Sequence, residues 1–176
     1  MKENLKTGMI STFKTILIAI ILAFIIKNFI FTFAYVKGIS MEPTLSEKDM
    51  LFCFVPKKYY GMERGNIIIF KSPVENKTYI KRIIGLPGDL INIRDGVVYV
   101  NGEVYNENYI SNSYTMALNA TTVKLSNDEY FVMGDNRNPN ESNDSRMFGP
   151  IKKKSIKAVV LCRVYPFSKI TNLGVK

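Results

Sequence analysis

A serine, a lysine and the absence of a third residue type set the chemistry open to this chain. Ser40 lies in Lys37-Gly-Ile-Ser-Met-Glu-Pro-Thr-Leu45, between an apolar segment of membrane length and a β-rich remainder. A serine hydroxyl is a weak nucleophile until a neighbouring base takes its proton. The 176 residues include no histidine, so a Ser-His-Asp triad is excluded. A neutral lysine is the remaining base, and Lys81 in Tyr79-Ile-Lys-Arg-Ile-Ile84 is the best placed. Strand alternation puts Tyr79, Lys81 and Ile83 on one face and Ile80, Arg82 and Ile84 on the other. One basic residue then looks toward each face, and a strand with one buried face carries one of them there or at its edge. Arginine keeps its proton at ordinary pH. Lysine can lose its proton when desolvated, which moves it toward the range where a general base works.

Gly38-Ile-Ser40 begins like a nucleophile elbow, but Glu42 stands where that motif needs glycine and no helical pattern follows. Gly38 permits a positive φ, and Pro43 stiffens the loop after the serine. A third polar stretch, Gly134-Asp-Asn-Arg137 followed by Ser142-Asn-Asp-Ser-Arg146, leaves an apolar strand. Its mixture of acids, arginines and serines is that of a loop fixed by its own charge-assisted hydrogen bonds.

These residues must be positioned by a small domain. Residues 9–26 are almost wholly apolar around the whole circumference, with Lys14 near the start. That pattern predicts an uncleaved transmembrane helix over residues 9–28 rather than an amphipathic surface helix. Residues 1–8 are then a cytoplasmic N-terminus, and residues 29–176 a β-rich catalytic domain on the outer face. Beyond residue 35 the apolar runs read as strands at residues 50–55, 66–70, 78–84, 90–93, 97–100, 129–133 and 158–164. Asp95-Gly96 and Asn101-Gly102 mark hairpins, and residues 106–127 read as a polar excursion. Cys53 and Cys162 each sit in an apolar run and read as buried free thiols. No cofactor and no metal site is expected. Of the net charge of +9, residues 1–35 carry four lysines and one glutamate, which leaves +6 for the domain. An anionic membrane surface accounts for that surplus better than nucleic acid does, and the short lysine run at residues 152–154 reads as a solvated turn.

Taken together, these motifs resemble those of the type I signal peptidases, membrane-bound Ser/Lys proteases of the peptidase S26 family, in their short Gram-positive-like form. The matching boxes are Ser40-Met-Glu-Pro-Thr-Leu45, Arg64-Gly-Asn-Ile-Ile-Ile-Phe70, Lys81-Arg-Ile-Ile-Gly-Leu-Pro-Gly-Asp89 and the two halves of residues 134–146, in order. The resemblance implies a mostly β fold, an antiparallel β-sheet catalytic domain behind a transmembrane helix. It implies Ser40 as nucleophile, Lys81 as general base and Ser142 as the residue orienting the lysine amine. Asp144 and Arg146 become a supporting ion pair, and Met41 packs beside the site. Gly38 replaces a serine whose hydroxyl assists some members, so the oxyanion must rest on backbone donors, chiefly the Ser40 N–H. Residues 138–141 lengthen the last box by two, and an accessory β-domain is expected to be absent. The implied activity is removal of signal peptides from secretory preproteins after small residues at −1 and −3. The implied partners are those preproteins, the cytoplasmic membrane with its anionic lipids, and the translocon. Two other classes remain: a self-cleaving Ser/Lys protein of related fold, and an anchored β-domain without chemistry.

Overall fold

The computed structural model describes residues 2–110, 112–119 and 121–174, without the side chains of residues 2–11 and 28. Helix α1 (Lys2–Ile25) is followed by a π-type turn over Ile26–Ile30. The side chains described in α1 run over residues 12–25 and are exposed on all sides. That stretch is roughly 21 Å long at the α-helical rise, against about 30 Å of hydrocarbon in a bilayer. Among the described residues no helix is long and apolar enough to cross a membrane. The side chains of residues 9–11 and 28, which belong to the expected span, lie outside the description.

The strands are β1 (Phe31–Tyr35), β2 (Met50–Phe54), β3 (Ile67–Lys71), β4 (Thr78–Gly85), β5 (Leu90–Arg94) and β6 (Val97–Val100). They continue as β7 (Glu103–Val104), β8 (Thr122–Lys124), β9 (Glu129–Met133), β10 (Ile151–Lys152), β11 (Ile156–Tyr165) and β12 (Thr171–Asn172). All pairings are antiparallel. The larger sheet runs β1-β2-β11-β3-β4-β9-β10, with β12 beside β11. A second sheet runs β7-β6-β5-β8. The mostly β, antiparallel architecture is the one expected, and each strand read from an apolar run forms within two residues of its expected ends. Asp95 and Asn101 take positive φ at 51° and 54°, as the two hairpins require.

Strand β1 escaped the sequence reading because its aromatics continue the apolar run of α1 without a break. Phe31 stacks on Phe52 and packs tilted against Phe54, and Phe33 packs tilted against Phe52; this cross-strand contact holds the edge strand in place. The excursion after residue 100 is also more than a loop. β8 pairs with β5, and Ile91, Ile93, Val98, Val100 and Leu125 bury against Ile84, Phe131 and Met133. A small second sheet therefore packs directly on β4 and β9.

Both basic residues of β4 are buried, Lys81 at 3% exposure and Arg82 at 8%. The alternation predicted only one, because it assumed a single covered face. The excursion covers the other face, where the Tyr109 ring lies 4.0 Å from the Arg82 guanidinium. Cys53 and Cys162 are free, Cys53 buried and Cys162 half-buried. Burial pushes the Cys53 thiol up to about 12, with Cys162 nearby adding to it, so it stays a protonated core group.

Arg163 of β11 donates to Asp49 Oδ2 at 2.9 Å and to the Thr44 carbonyl at 3.0 Å. It thereby ties the sheet to the loop that follows Ser40. Removing one partner of a buried pair leaves the other charge uncompensated. Arg163→Met should lower stability by about 3 kcal/mol, read as an earlier urea midpoint; an unchanged midpoint would show that the pair contributes nothing.

Candidate active site

Ser40 follows β1 on a short loop that Gly38 begins with φ of +81°. This left-handed conformation is one that a side chain resists. The loop then turns inward, with Leu45 N donating to the Met41 carbonyl at 2.8 Å. Met41 is buried with Val36, Leu45 and Leu51, and it anchors the loop one residue beyond the serine. Strand β4 brings Lys81 to the same place. Lys81 Nζ lies 2.5 Å from Ser40 Oγ, across 41 positions of sequence. Residues 35–41 and 78–81 line a cleft of about 390 Å³, with Ser40, Met41 and Lys81 among them.

Burial pulls the Lys81 pKa down to about 8, helped by Arg146; Asp144 and Asp135 pull the other way. Neither carboxylate is free to claim the ammonium. Asp144 is fully buried. Its Oδ1 accepts from Arg146 N and Nε, and its Oδ2 from Arg146 Nη2, Ser142 Oγ and Gly134 N. Burial opposes the Asp144 charge, but these donors outweigh it and hold the carboxyl below its usual range. Asp135 is held by Arg82, with Nε to Oδ1 at 2.9 Å and Nη2 to Oδ2 at 2.6 Å.

The Gly134-Asp-Asn-Arg loop presses against the serine. Asn136 N donates to the Ser40 carbonyl at 3.1 Å, and Asn136 Nδ2 to the Ile39 carbonyl at 3.3 Å. A Cβ on Gly134 would collide with Ser142 Oγ and the Ser40 carbonyl. The Ser40 N–H has no acceptor among the described residues. The extra residues 138–141 form an exposed turn, so the chain returns to bury Ser142 and Asp144 without disturbing either half of the box.

One expected contact is replaced by another. Ser142 donates its hydroxyl to Asp144 Oδ2 at 2.6 Å, and no hydrogen bond joins it to Lys81 among the described residues. The expected Asp144–Arg146 pair is present at 2.8 Å. Two residues outside the expected set, Glu107 and Thr115, secure the loop from the polar excursion. Arg137, itself buried, pairs with Glu107 and donates to Thr115 Oγ1 at 2.7 Å. It also donates from Nε to the Gly134 carbonyl at 2.8 Å. A lone glutamate in an Asn- and Ser-rich stretch gives no local signal of this pairing.

Comparison with known proteins shows the family. The sequence matches the family model described as signal peptidase, peptidase S26, over residues 9–165. The chain belongs to the peptidase S26 signal peptidases. A signal peptidase I from Bacillus amyloliquefaciens is 37% identical to this family member over 96% of the chain and 95% of the relative. Signal peptidase I S from Bacillus subtilis is 36% identical over 94% of each. The crystal structure of a signal peptidase I from Enterococcus faecalis is 36% identical. It superposes with a TM-score of 0.50 over 56% of this S26 chain and 96% of that one.

The buried amine has a consequence for stability. A folded-state pKa of about 8 lies below the unfolded value of about 10.4, so folding opposes protonation. The penalty is complete below pH 8 and gone above the unfolded pKa. Lys81→Met should therefore stabilise the chain by up to about 3 kcal/mol at pH 7. The difference from the parent should shrink as pH rises past 8. Urea unfolding of both chains at several pH values checks this, and a pH-independent difference would contradict a depressed amine.

Proposed function

We propose that this chain is a membrane-anchored serine endopeptidase that removes signal peptides from secretory preproteins with a Ser40/Lys81 dyad. The observation that carries the reading is the 2.5 Å contact between Lys81 Nζ and Ser40 Oγ, at the base of an open cleft in a member of the S26 family. Neutral Lys81 takes the Ser40 proton as Oγ attacks the carbonyl after the last signal-peptide residue. The protonated amine then donates to the leaving nitrogen. Water, deprotonated by the again neutral Lys81, hydrolyses the acyl-enzyme. The Ser40 N–H, without an acceptor among the described residues, supports the oxyanion; a donor of this kind is worth roughly 3–4 kcal/mol in other enzymes. Gly38 adds no side-chain donor.

The extended segment at residues 78–81 of β4, beside the serine loop, suits a peptide that binds as an added strand, with small side chains at −1 and −3. Ser142 supports the lysine indirectly. It orients Asp144, which with Arg146 sets the field around the amine. Residues 9–28 form the anchor, with residues 1–8 inside and the domain outside. The apolar side chains of α1, exposed around its circumference, support burial in lipid, since soluble chains rarely leave so large a patch uncovered.

In detergent, Ser40→Ala and Lys81→Met should each reduce preprotein cleavage by at least roughly three orders of magnitude, by analogy with the loss on removing a member of a serine-protease triad, while the far-ultraviolet spectrum stays unchanged. Substantial cleavage by either variant would rule out the dyad. For the parent chain, kcat/KM should rise with pH through an apparent pKa near 8 and then level off, because only the neutral amine accepts a proton. A preprotein with bulky residues at −1 and −3 should remain uncut.

A further inference from the structure

Beyond the active-site cleft, a second groove of about 490 Å³ opens at the base of the helix. Its walls are apolar where Phe33, Val55 and Ile69 line it, and its rim carries Lys58, Lys154 and Lys157. Phe33 is the third residue of β1, and Val55 N donates to the Ile30 carbonyl at 2.9 Å. The groove therefore lies within a few residues of the end of α1. No acidic side chain lines it. The nearby acids are engaged elsewhere: Glu63 with Lys57, Glu75 with Lys77, and Asp128 and Glu129 with Lys152. Lys157 donates to Thr78 Oγ1 at 2.8 Å, and Lys154 has no ion-pair partner among the described residues.

Three amines without carboxylates around an apolar floor match one ligand chemistry, a phosphate monoanion carried on an acyl chain. We infer that this groove binds the headgroup of an anionic phospholipid of the bilayer, its acyl chain lying along Phe33 and the apolar surface of α1. The inference rests on the proposed anchoring. If α1 enters lipid, residues 31–34 leave it at headgroup depth, where anionic phosphate is concentrated. Each lysine close to an anionic surface contributes a roughly fivefold preference. Thr78 lines both this groove and the active-site cleft, so an occupied groove sets the domain down with the mouth of the cleft beside the membrane.

The chain contains no tryptophan, so Phe33→Trp places a single indole on the groove floor. The full chain carrying it is reconstituted into phosphatidylcholine vesicles with or without phosphatidylglycerol, one lipid at a time brominated on its acyl chains. Brominated phosphatidylglycerol should quench the indole with a roughly fivefold or greater association preference over brominated phosphatidylcholine. The preference should collapse in high salt and fall to near unity on adding Lys58→Gln, Lys154→Gln and Lys157→Gln. Preprotein cleavage in detergent by that variant should be unchanged. If it is lost, the salt series on the single-indole chain decides instead. Equal quenching by both lipids, a preference that survives salt, or a preference that survives the lysine replacements in an active variant would overturn the groove. So would displacement by inorganic phosphate or polyglutamate, since the occupant would then be a free anion or an acidic peptide. Flotation with plain phosphatidylcholine vesicles separates the two readings. A chain that fails to float loses the anchor and the groove together, whereas one that floats without lipid preference loses the groove alone.

Discussion

A lysine held away from water serves as a base only if no carboxylate claims its charge. The structure meets that constraint around Lys81 with two acids that are already committed. Asp144 accepts five hydrogen bonds, three of them from Arg146. Asp135 is held by both nitrogens of a bidentate Arg82 fork. Each acid–arginine pair is close to neutral as a unit, so burial dominates at the amine and its proton is easily lost. The contact to Ser40 Oγ follows from this, because among the described residues that hydroxyl is the one hydrogen-bond partner of the amine.

The demands on the surrounding fold follow from the same constraint. Arg82 sits on the opposite face of β4 from Lys81, so that face must be covered as well. Tyr109 covers it from the polar excursion, and Glu107 reaches from the same segment to hold Arg137. Arg137 in turn supports the Gly134 carbonyl. Gly134 has no side chain because Ser142 and the Ser40 carbonyl occupy that space. The segment between β7 and β8 thus clamps the loop that sets the lysine's field. A residue 26 positions from Lys81 in sequence, Glu107, is as much a part of the site as its neighbours.

On the other side, the large sheet ends at β1, whose aromatics pack on β2 and whose first residues continue directly from the π-type turn after α1. One strand therefore joins the helix to the serine loop. The distance from the end of the helix to Ser40 is fixed by this short edge strand and the loop after it, not by a flexible linker.

Much of the site was legible in the sequence. The absence of histidine excluded the commonest serine mechanism. Strand periodicity of two singled out Lys81, and Gly38 announced a backbone that only glycine adopts easily. Hairpins at Asp95-Gly96 and Asn101-Gly102 and most strands could be read because turn chemistry and apolar runs are local. The residues that escaped were those whose meaning is a long-range pairing. Strand β1 merged with the apolar run before it, and Glu107, Tyr109 and Thr115 lay in a stretch with no period at all. Ser142 was expected to orient the lysine amine, but its hydroxyl goes to Asp144 and not to the lysine. The sequence by itself determined which residue types could do the chemistry, since side-chain acidity and backbone freedom belong to the residue. Tertiary structure alone decided that Lys81 is desolvated, that its two carboxylate neighbours are already neutralised, and that the amine faces Ser40. Burial and the field at a point depend on every group packed around it, and no local stretch of sequence contains that information.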